Sequence, residues 1–103
     1  MDSLTVTDNE HQQRYELSLD GELAISQYRR AGDQITFLHT EVPKALEGRG
    51  VGSALVRAEL DDARAKGLTV VPVCPFVRAF IVRHPEYLDI VEARHRKAIE
   101  QEI

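Results

Sequence analysis

Glu47-Gly48-Arg49-Gly50-Val51-Gly52-Ser53 sets glycine at three alternate positions, directly ahead of a segment with helical periodicity. A helix N-terminus exposes backbone N–H groups that have no intrahelical partner, and with the helix dipole they attract an anion. Glycines at 48, 50 and 52 let a ligand approach the backbone, Arg49 adds a guanidinium, and Ser53 adds a hydroxyl. The assembly suits a pyrophosphate. A nucleoside-triphosphate loop requires Lys and then Ser or Thr after its last glycine, whereas Ser53-Ala54 follows Gly52 here. The dinucleotide fingerprint requires a glycine where Ser53 stands, within a parallel strand–helix–strand unit. A plain strand-to-helix turn is the simplest alternative, but it does not need three alternating glycines.

Downstream of the loop, Val51, Leu55, Val56, Leu60 and Ala63 share one helical face, while Arg57, Asp61 and Arg64 share the other at salt-bridge spacings. Gly67 is the expected C-cap. Leu68 to Val73 reads as a strand in which Pro72 lacks a ladder donor, marking an edge, a bulge or a parting from its neighbour. Pro75 suits the first position of a further helix over Phe76 to Arg83, which His84-Pro85 stops. Tyr87 to Val91 reads as a last short strand. Residues 92–103 are mostly charged and read as a tail, either an exposed helix or a frayed end.

Upstream, the signal is that of strands. Leu4-Thr5-Val6 is β-prone, Asp8 to Gln13 reads as a loop or bulge, and Arg14 to Leu19 alternates polar with apolar residues. Asp20-Gly21 favours a tight hairpin turn into Glu22 to Arg29, and Ala31-Gly32-Asp33 marks the next turn before the strand Gln34 to Glu41. The expected class is α/β, of the α+β kind: an antiparallel meander, then a strand parallel to its last member, with helices packed on the sheet.

The 103 residues suit a single domain spanning 1–103. A charged fraction of 29% and a hydrophobic fraction of 43% are ordinary for a globular chain. The net charge of −4 and isoelectric point near 5.5 argue against a general nucleic-acid binder, and weakly suit a cationic amine. No apolar run approaches the roughly 20 residues that cross a bilayer. Met1-Asp2-Ser3-Leu4 lacks the features of a secretory leader, so the expected compartment is the cytoplasm, without a membrane partner. The only cysteine, Cys74, can form neither an internal disulfide nor a cysteine metal cluster. His11, His84 and His95 have no ligand partners at useful spacing, so no metal is expected.

The order of strand, Val42-Pro43, glycine loop, helix, strand and short helix resembles the GNAT superfamily of N-acetyltransferases. Gly50 and Gly52 match the glycines of its acetyl-CoA loop, while Glu47 stands where that loop carries Gln or Arg. The segments His39-Thr40-Glu41-Val42-Pro43, Gly48 to Ser53, Pro72-Val73-Cys74-Pro75-Phe76-Val77 and Pro85 are similar to its short single-domain branch, over about residues 14–91. The resemblance implies a fold in which the strand before the loop and the next parallel strand splay apart around the pantetheine arm of acetyl-CoA. It implies that Glu41 and Val42 offer backbone groups to that arm, that Gly48, Arg49, Gly50, Val51, Gly52 and Ser53 hold the pyrophosphate, and that Phe76 and Phe80 flank the arm. Core packing is the simpler role for Phe80. Many relatives carry a Tyr in the helix after the splayed strand as proton donor, and here Phe76 and Phe80 occupy that helix. The helical pair that covers the acceptor in longer relatives has no counterpart, so the acceptor side is expected to be open.

Acetyl transfer requires a neutral amine, a stabilised oxyanion and a proton for the departing thiolate. Cys74, ahead of Pro75 at a helix N-terminus, is a candidate acetyl acceptor or proton donor, the role that the resemblance also implies for it; buried packing is its alternative. His39 is the candidate general base, although alternation with Ile35 and Phe37 equally fits a core histidine. Glu41 can assist it, and Tyr87 is a further proton-donor candidate. Three functions follow: an N-acetyltransferase acting on an unidentified amine, a CoA-binding module without turnover, or an interaction domain without CoA that uses its sheet edge or charged tail.

Overall fold

The computed structural model describes residues 4–103; Met1-Asp2-Ser3, which carry much of the argument against a leader, lie outside the described residues. Strands β1 (Val6–Asn9), β2 (Arg14–Leu19), β3 (Glu22–Ala31), β4 (Gln34–Glu41) and β5 (Thr69–Pro72) form one sheet in sequence order. The first three pairings are antiparallel and β4–β5 is parallel, giving the expected mixed sheet with packed helices. A parallel neighbour needs a crossover, and helix α1 (Val51–Ala65) supplies it. Helix α2 (Pro75–Arg83) follows β5 beside α1, and α3 (Ala93–Glu100) packs against α2.

The hairpin turn between β2 and β3 has φ of 52° at Asp20 and 76° at Gly21, the left-handed pair that suits strand twist. Inward side chains from alternate strand positions, among them Tyr15, Leu17, Tyr28, Ile35 and Phe37, meet Leu55, Val56 and Leu60 of α1 in the core. Tyr15, Tyr28 and Phe37 pack with ring centroids 5.3–6.4 Å apart. Each such aromatic pair contributes about 0.5–1.5 kcal/mol beyond area burial. The opposite face, including Ser18, Leu23, Gln27 and Arg29, is exposed.

Four local expectations change. Strand β1 runs to Asn9, into the stretch read as a loop, because its polar groups find partners: the Tyr28 hydroxyl donates to Asp8 at 2.5 Å and the Asn9 amide to Glu16 at 2.9 Å. Arg57, Asp61 and Arg64 of α1 pair with the segment after α2 rather than mainly with one another. Arg64 binds Asp89 at 2.6 Å, and Asp61 accepts the Tyr87 hydroxyl at 2.7 Å. That segment, Pro85–Ile90, is a 3₁₀ helix instead of a strand, and only Val91 bridges β5, at Val70. The charged tail is a helix anchored rather than wholly exposed. Ile99 is completely buried, Glu92 caps the helix by accepting N–H groups of Arg94 and His95, and Arg78 pairs with Glu102.

Candidate functional site

The parallel pairing ends at Phe37↔Pro72. Proline has no N–H to continue a ladder, and beyond it Val73 N–H turns back to Val71 O while Cys74 N–H donates to Phe37 O at 2.8 Å. Strand β4 continues for four residues, with Ile25, Ser26 and Gln27 of β3 opposite Glu41, Thr40 and His39. Its other edge is left without a strand neighbour, and α2 diverges from it. Here is the splayed pair that the resemblance implied.

The glycine loop closes one end of this gap. Gly48 and Gly50 have φ of 79° and 75°, left-handed values that favour glycine, and Gly50 is the N-cap of α1. No side chain caps α1 and its first turn holds no acid. Ala54 N–H donates to Gly50 O, leaving the N–H groups of Val51, Gly52 and Ser53 without intrahelical acceptors. Gly52 is helical, and its requirement is steric: a Cβ there would lie 2.7 Å from Phe76 Cζ and 3.4 Å from Val42 Cγ2. Val42, Leu46, Glu47, Gly48, Gly50, Val51, Gly52, Ser53 and Phe76 line an open cleft of about 230 Å³. One wall is therefore apolar and the floor is a helix N-terminus, a combination fit for a phosphate joined to an apolar arm.

Two charges bear on the cleft. Glu47 stands at its lip, where a carboxylate opposes an incoming anion. Arg49 Nη1 donates to Asp20 Oδ2 of the β2–β3 turn at 2.6 Å, so its guanidinium is held by a carboxylate and not directed into the cleft.

His39 is not a core residue. In the β3–β4 register Gln27 faces His39 while Tyr28 faces Phe37, so Leu38 is an extra residue that resets the alternation. His39 and Glu41 turn to the open face, where His39 Nε2 lies 3.0 Å from Glu41 Oε2, and Thr40 takes the inner face instead. Thr40 Oγ1 lies 3.4 Å from Cys74 Sγ. Cys74, the N-cap of α2, is 3% exposed beneath the gap rather than on the wall of the cleft. His39 and Cys74 thus project to opposite faces of the sheet at its parting.

Phe80 does not reach the cleft. It is buried, stacked on His84 at 4.1 Å between ring centroids and covered by Arg57 at 5.4 Å. Tyr87 is likewise buried, its hydroxyl committed to Asp61, with burial first and that hydrogen bond second holding it protonated.

Sequence reasoning missed Glu59. It is wholly buried on α1 among Leu55, Val56 and Leu60, near Ser26 of β3, and its two oxygens and Ser26 Oγ have no hydrogen-bond partner. Burial is the main cause that drives its carboxyl well above 4.5; a nearby Cys74 charge adds to this and Ser26 opposes it. The signal was present in its spacing, four residues after Leu55 and three after Val56, on the apolar face. A second hollow, lined by Asp8, Tyr15, Asp61, Asp62 and Lys66 among others, carries three carboxylates and one ammonium, with Lys66 binding Asp8 at 3.1 Å and Asp62 at 2.8 Å. Among the described residues no helix is long and apolar enough to cross a membrane, and no group of three or more His, Cys, Asp or Glu could hold a metal.

Residues 14–90 match the family model described as GCN5-related N-acetyl-transferase. Protein NATD1 of Bos taurus is 30% identical over 91 residues, covering 84% of this chain and 80% of the relative. Protein NATD1 of Homo sapiens is 29% identical over 91 residues, with the same two shares. The NMR structure of a GCN5-like protein from Staphylococcus aureus superposes with a TM-score of 0.68 at 26% identity, over 89% of this chain and 91% of that one.

Proposed function

The chain belongs to the GCN5-related N-acetyltransferase family, and from that premise we propose that it binds acetyl-CoA in the cleft between β4 and α2 and transfers the acetyl group to an amine. The observation that carries the proposal is the coincidence of an uncapped α1 N-terminus with a β4 edge freed by Pro72, at the same end of the sheet. The N–H groups of Val51, Gly52 and Ser53 would hold the pyrophosphate with those of the Gly48–Gly50 turn. Backbone groups of Glu41 and Val42 would hold the pantetheine amides, with Phe76 and Val42 covering the arm. Arg49 would join only after exchanging Asp20 for phosphate. Acetyl-CoA supplies an activated acyl thioester.

At the parting of the strands, Cys74 and His39 approach the thioester position from opposite faces. His39, paired with Glu41 on the open face, is placed to take a proton from an amine arriving there. Cys74, from the inner face, is placed to give a proton to the departing sulfur or to receive the acetyl group. The proposal extends over the chain as a single N-acetyltransferase unit. The exposed outer face, with Glu41 and a net acidic chain, suits a small or peptidyl cationic amine.

Thermal denaturation with excess CoA tests the binding step, because a ligand that binds only the native state raises its stability by about 2.7 kcal/mol at one hundred times Kd. An unchanged midpoint contradicts it. Product mass spectrometry with acetyl-CoA and an amine panel tests transfer. Stabilisation without any acetylated product, in the chain or in the panel, assigns the domain to CoA binding alone.

A further inference from the structure

Continued alternation from Ile35 and Phe37 would carry Thr40 to the outer face of β4. The extra residue Leu38 reverses this and sets Thr40 on the inner face, opposite Ser26 of β3. Bulges beside functional sites commonly re-aim a side chain in this way. Thr40 Oγ1 then lies 3.4 Å from Cys74 Sγ, the one side-chain hydrogen bond that either residue makes among the described residues. The hydroxyl is not spent on its cross-strand neighbour, because Ser26 Oγ has no partner. Packing does not account for it either, since valine has the same shape and suits a strand as well. The Cys74 backbone is fixed on both sides, its N–H donating to Phe37 O at 2.8 Å and its C=O accepting Arg78 N–H at 3.0 Å. What remains free is the thiol rotor, and Thr40 is the side chain that holds it. We propose that Thr40 is a positioning residue for Cys74, its hydroxyl donating to Sγ so that the S–H is turned to the parting of β4 and β5.

The inference rests on the proposed function, in which Cys74 meets the thioester. In direct transfer the amine nitrogen bonds the acetyl carbon and gives a proton to His39, while the carbon–sulfur bond breaks and the CoA sulfur takes the thiol proton of Cys74. The thiolate left on Cys74 recovers a proton from water, and His39 releases one to water. In the covalent route the same thiol proton passes to the CoA sulfur as Cys74 Sγ bonds the acetyl carbon. The amine then displaces Sγ, His39 takes the amine proton, and water re-protonates the thiolate. Either route leaves negative charge on Sγ once. Among the described residues no charged side chain hydrogen-bonds that sulfur, and Arg78 in the first turn of α2 pairs with Glu102 instead. A hydroxyl that donates to Sγ binds more strongly as the charge develops, because hydrogen bonds to ions are about twice as strong as neutral ones.

The test uses acetyl-CoA with hydroxylamine as a neutral acceptor, following acetohydroxamate by mass spectrometry after subtraction of the uncatalysed reaction. Thr40→Val is expected to lower kcat about 10- to 100-fold, with KM for acetyl-CoA within about two-fold of wild type, and Thr40→Ser to restore most of the rate. Placed in a Cys74→Ala chain, Thr40→Val is expected to cost nothing further, because its effect runs through the thiol. A Thr40→Val protein with a native ¹H–¹⁵N spectrum that turns over like wild type, while Cys74→Ala is slow, would overturn the inference alone. So would a loss that persists in the Cys74→Ala chain, which assigns Thr40 to structure. If the valine variant does not fold, Thr40→Ala takes its place in both comparisons. A wild type without turnover, or Cys74→Ala as fast as wild type, fails the reading on which the inference rests and the inference with it.

Discussion

Gly52→Ala separates the stability of α1 from the use of its N-terminus. Gly52 has ordinary helical φ, so the alanine backbone is unstrained and the helix gains about 1 kcal/mol of intrinsic propensity. Against this, the new methyl meets Phe76 Cζ at 2.7 Å and Cε1 at 3.2 Å. Ordinary carbon contact begins near 3.5 Å, so the ring must retreat by roughly 0.8 Å. Phe76 is 41% exposed and in the first turn of α2, so it can swing outward instead of straining the core. The lost packing is part of one side chain, on the order of 1 kcal/mol. The two effects nearly cancel, and urea denaturation should place the variant within about 1 kcal/mol of wild type. Binding should respond differently, because the methyl lies between Phe76 and Val42 and displaces the apolar wall of the cleft beside the N–H groups proposed to meet the pyrophosphate. Loss of one charge-assisted hydrogen bond is worth about 1.5–3 kcal/mol, or roughly 10- to 100-fold in Kd for CoA by isothermal titration calorimetry. Unchanged CoA affinity in a folded Gly52→Ala protein would refute the placement of the anion at α1.

Three further outcomes are expected. Glu47→Gln removes a carboxylate from the lip of the cleft and should tighten CoA binding about two- to five-fold at low salt, with the gain shrinking as salt rises; equal affinities would show that the anion lies elsewhere. Asp20→Asn releases Arg49, and because an exposed ion pair contributes at most about 1 kcal/mol, stability should barely move while CoA affinity rises up to about five-fold. Glu59 is held neutral by burial, so its folded titration lies above the unfolded value of 4.5. As pH rises above 4.5 the unfolded chain loses this proton first, and stability falls by up to about 1.4 kcal/mol per pH unit until the folded carboxyl ionises. Carboxylates held low by partners, Glu16 and Asp89 among them, act in the opposite sense but are common to wild type and Glu59→Gln. The stability advantage of Glu59→Gln in urea should therefore grow from pH 4.5 towards neutrality, and a pH-independent difference would contradict a buried neutral acid.

The elements were legible wherever local physics decides them. Arg14 to Leu19 and Gln34 to Glu41 became strands over those same residues, and Pro75 opened α2, because alternation and proline geometry act locally. The inner and outer faces of β4 were not legible beyond Phe37. Leu38 is apolar yet is the bulged residue, and nothing in the one-dimensional pattern distinguishes it from a regular strand position. That single residue turned His39 outward and brought Thr40 to Cys74. Phe76 and Phe80 share a helix face four residues apart, and only distance from Gly52 assigns one to the cleft and the other to the core. The loop itself was readable through its glycines, but the hold of Asp20 on Arg49 joins residues 29 apart in sequence, and only the fold shows it. Ile99, one apolar residue among charges, anchors the C-terminal helix to the core, where the composition suggested an exposed helix or a frayed end.

The most direct test of the central claim is a ¹⁵N-labelled NMR titration with CoA. The account predicts that the amides of Gly48 to Ser53 shift most, followed by those of Leu38 to Val42 along the free edge of β4 and by Phe76 and Val77 on α2. Shifts centred instead on the hollow around Asp8, Tyr15 and Lys66, or no saturable shift at millimolar CoA, would contradict it.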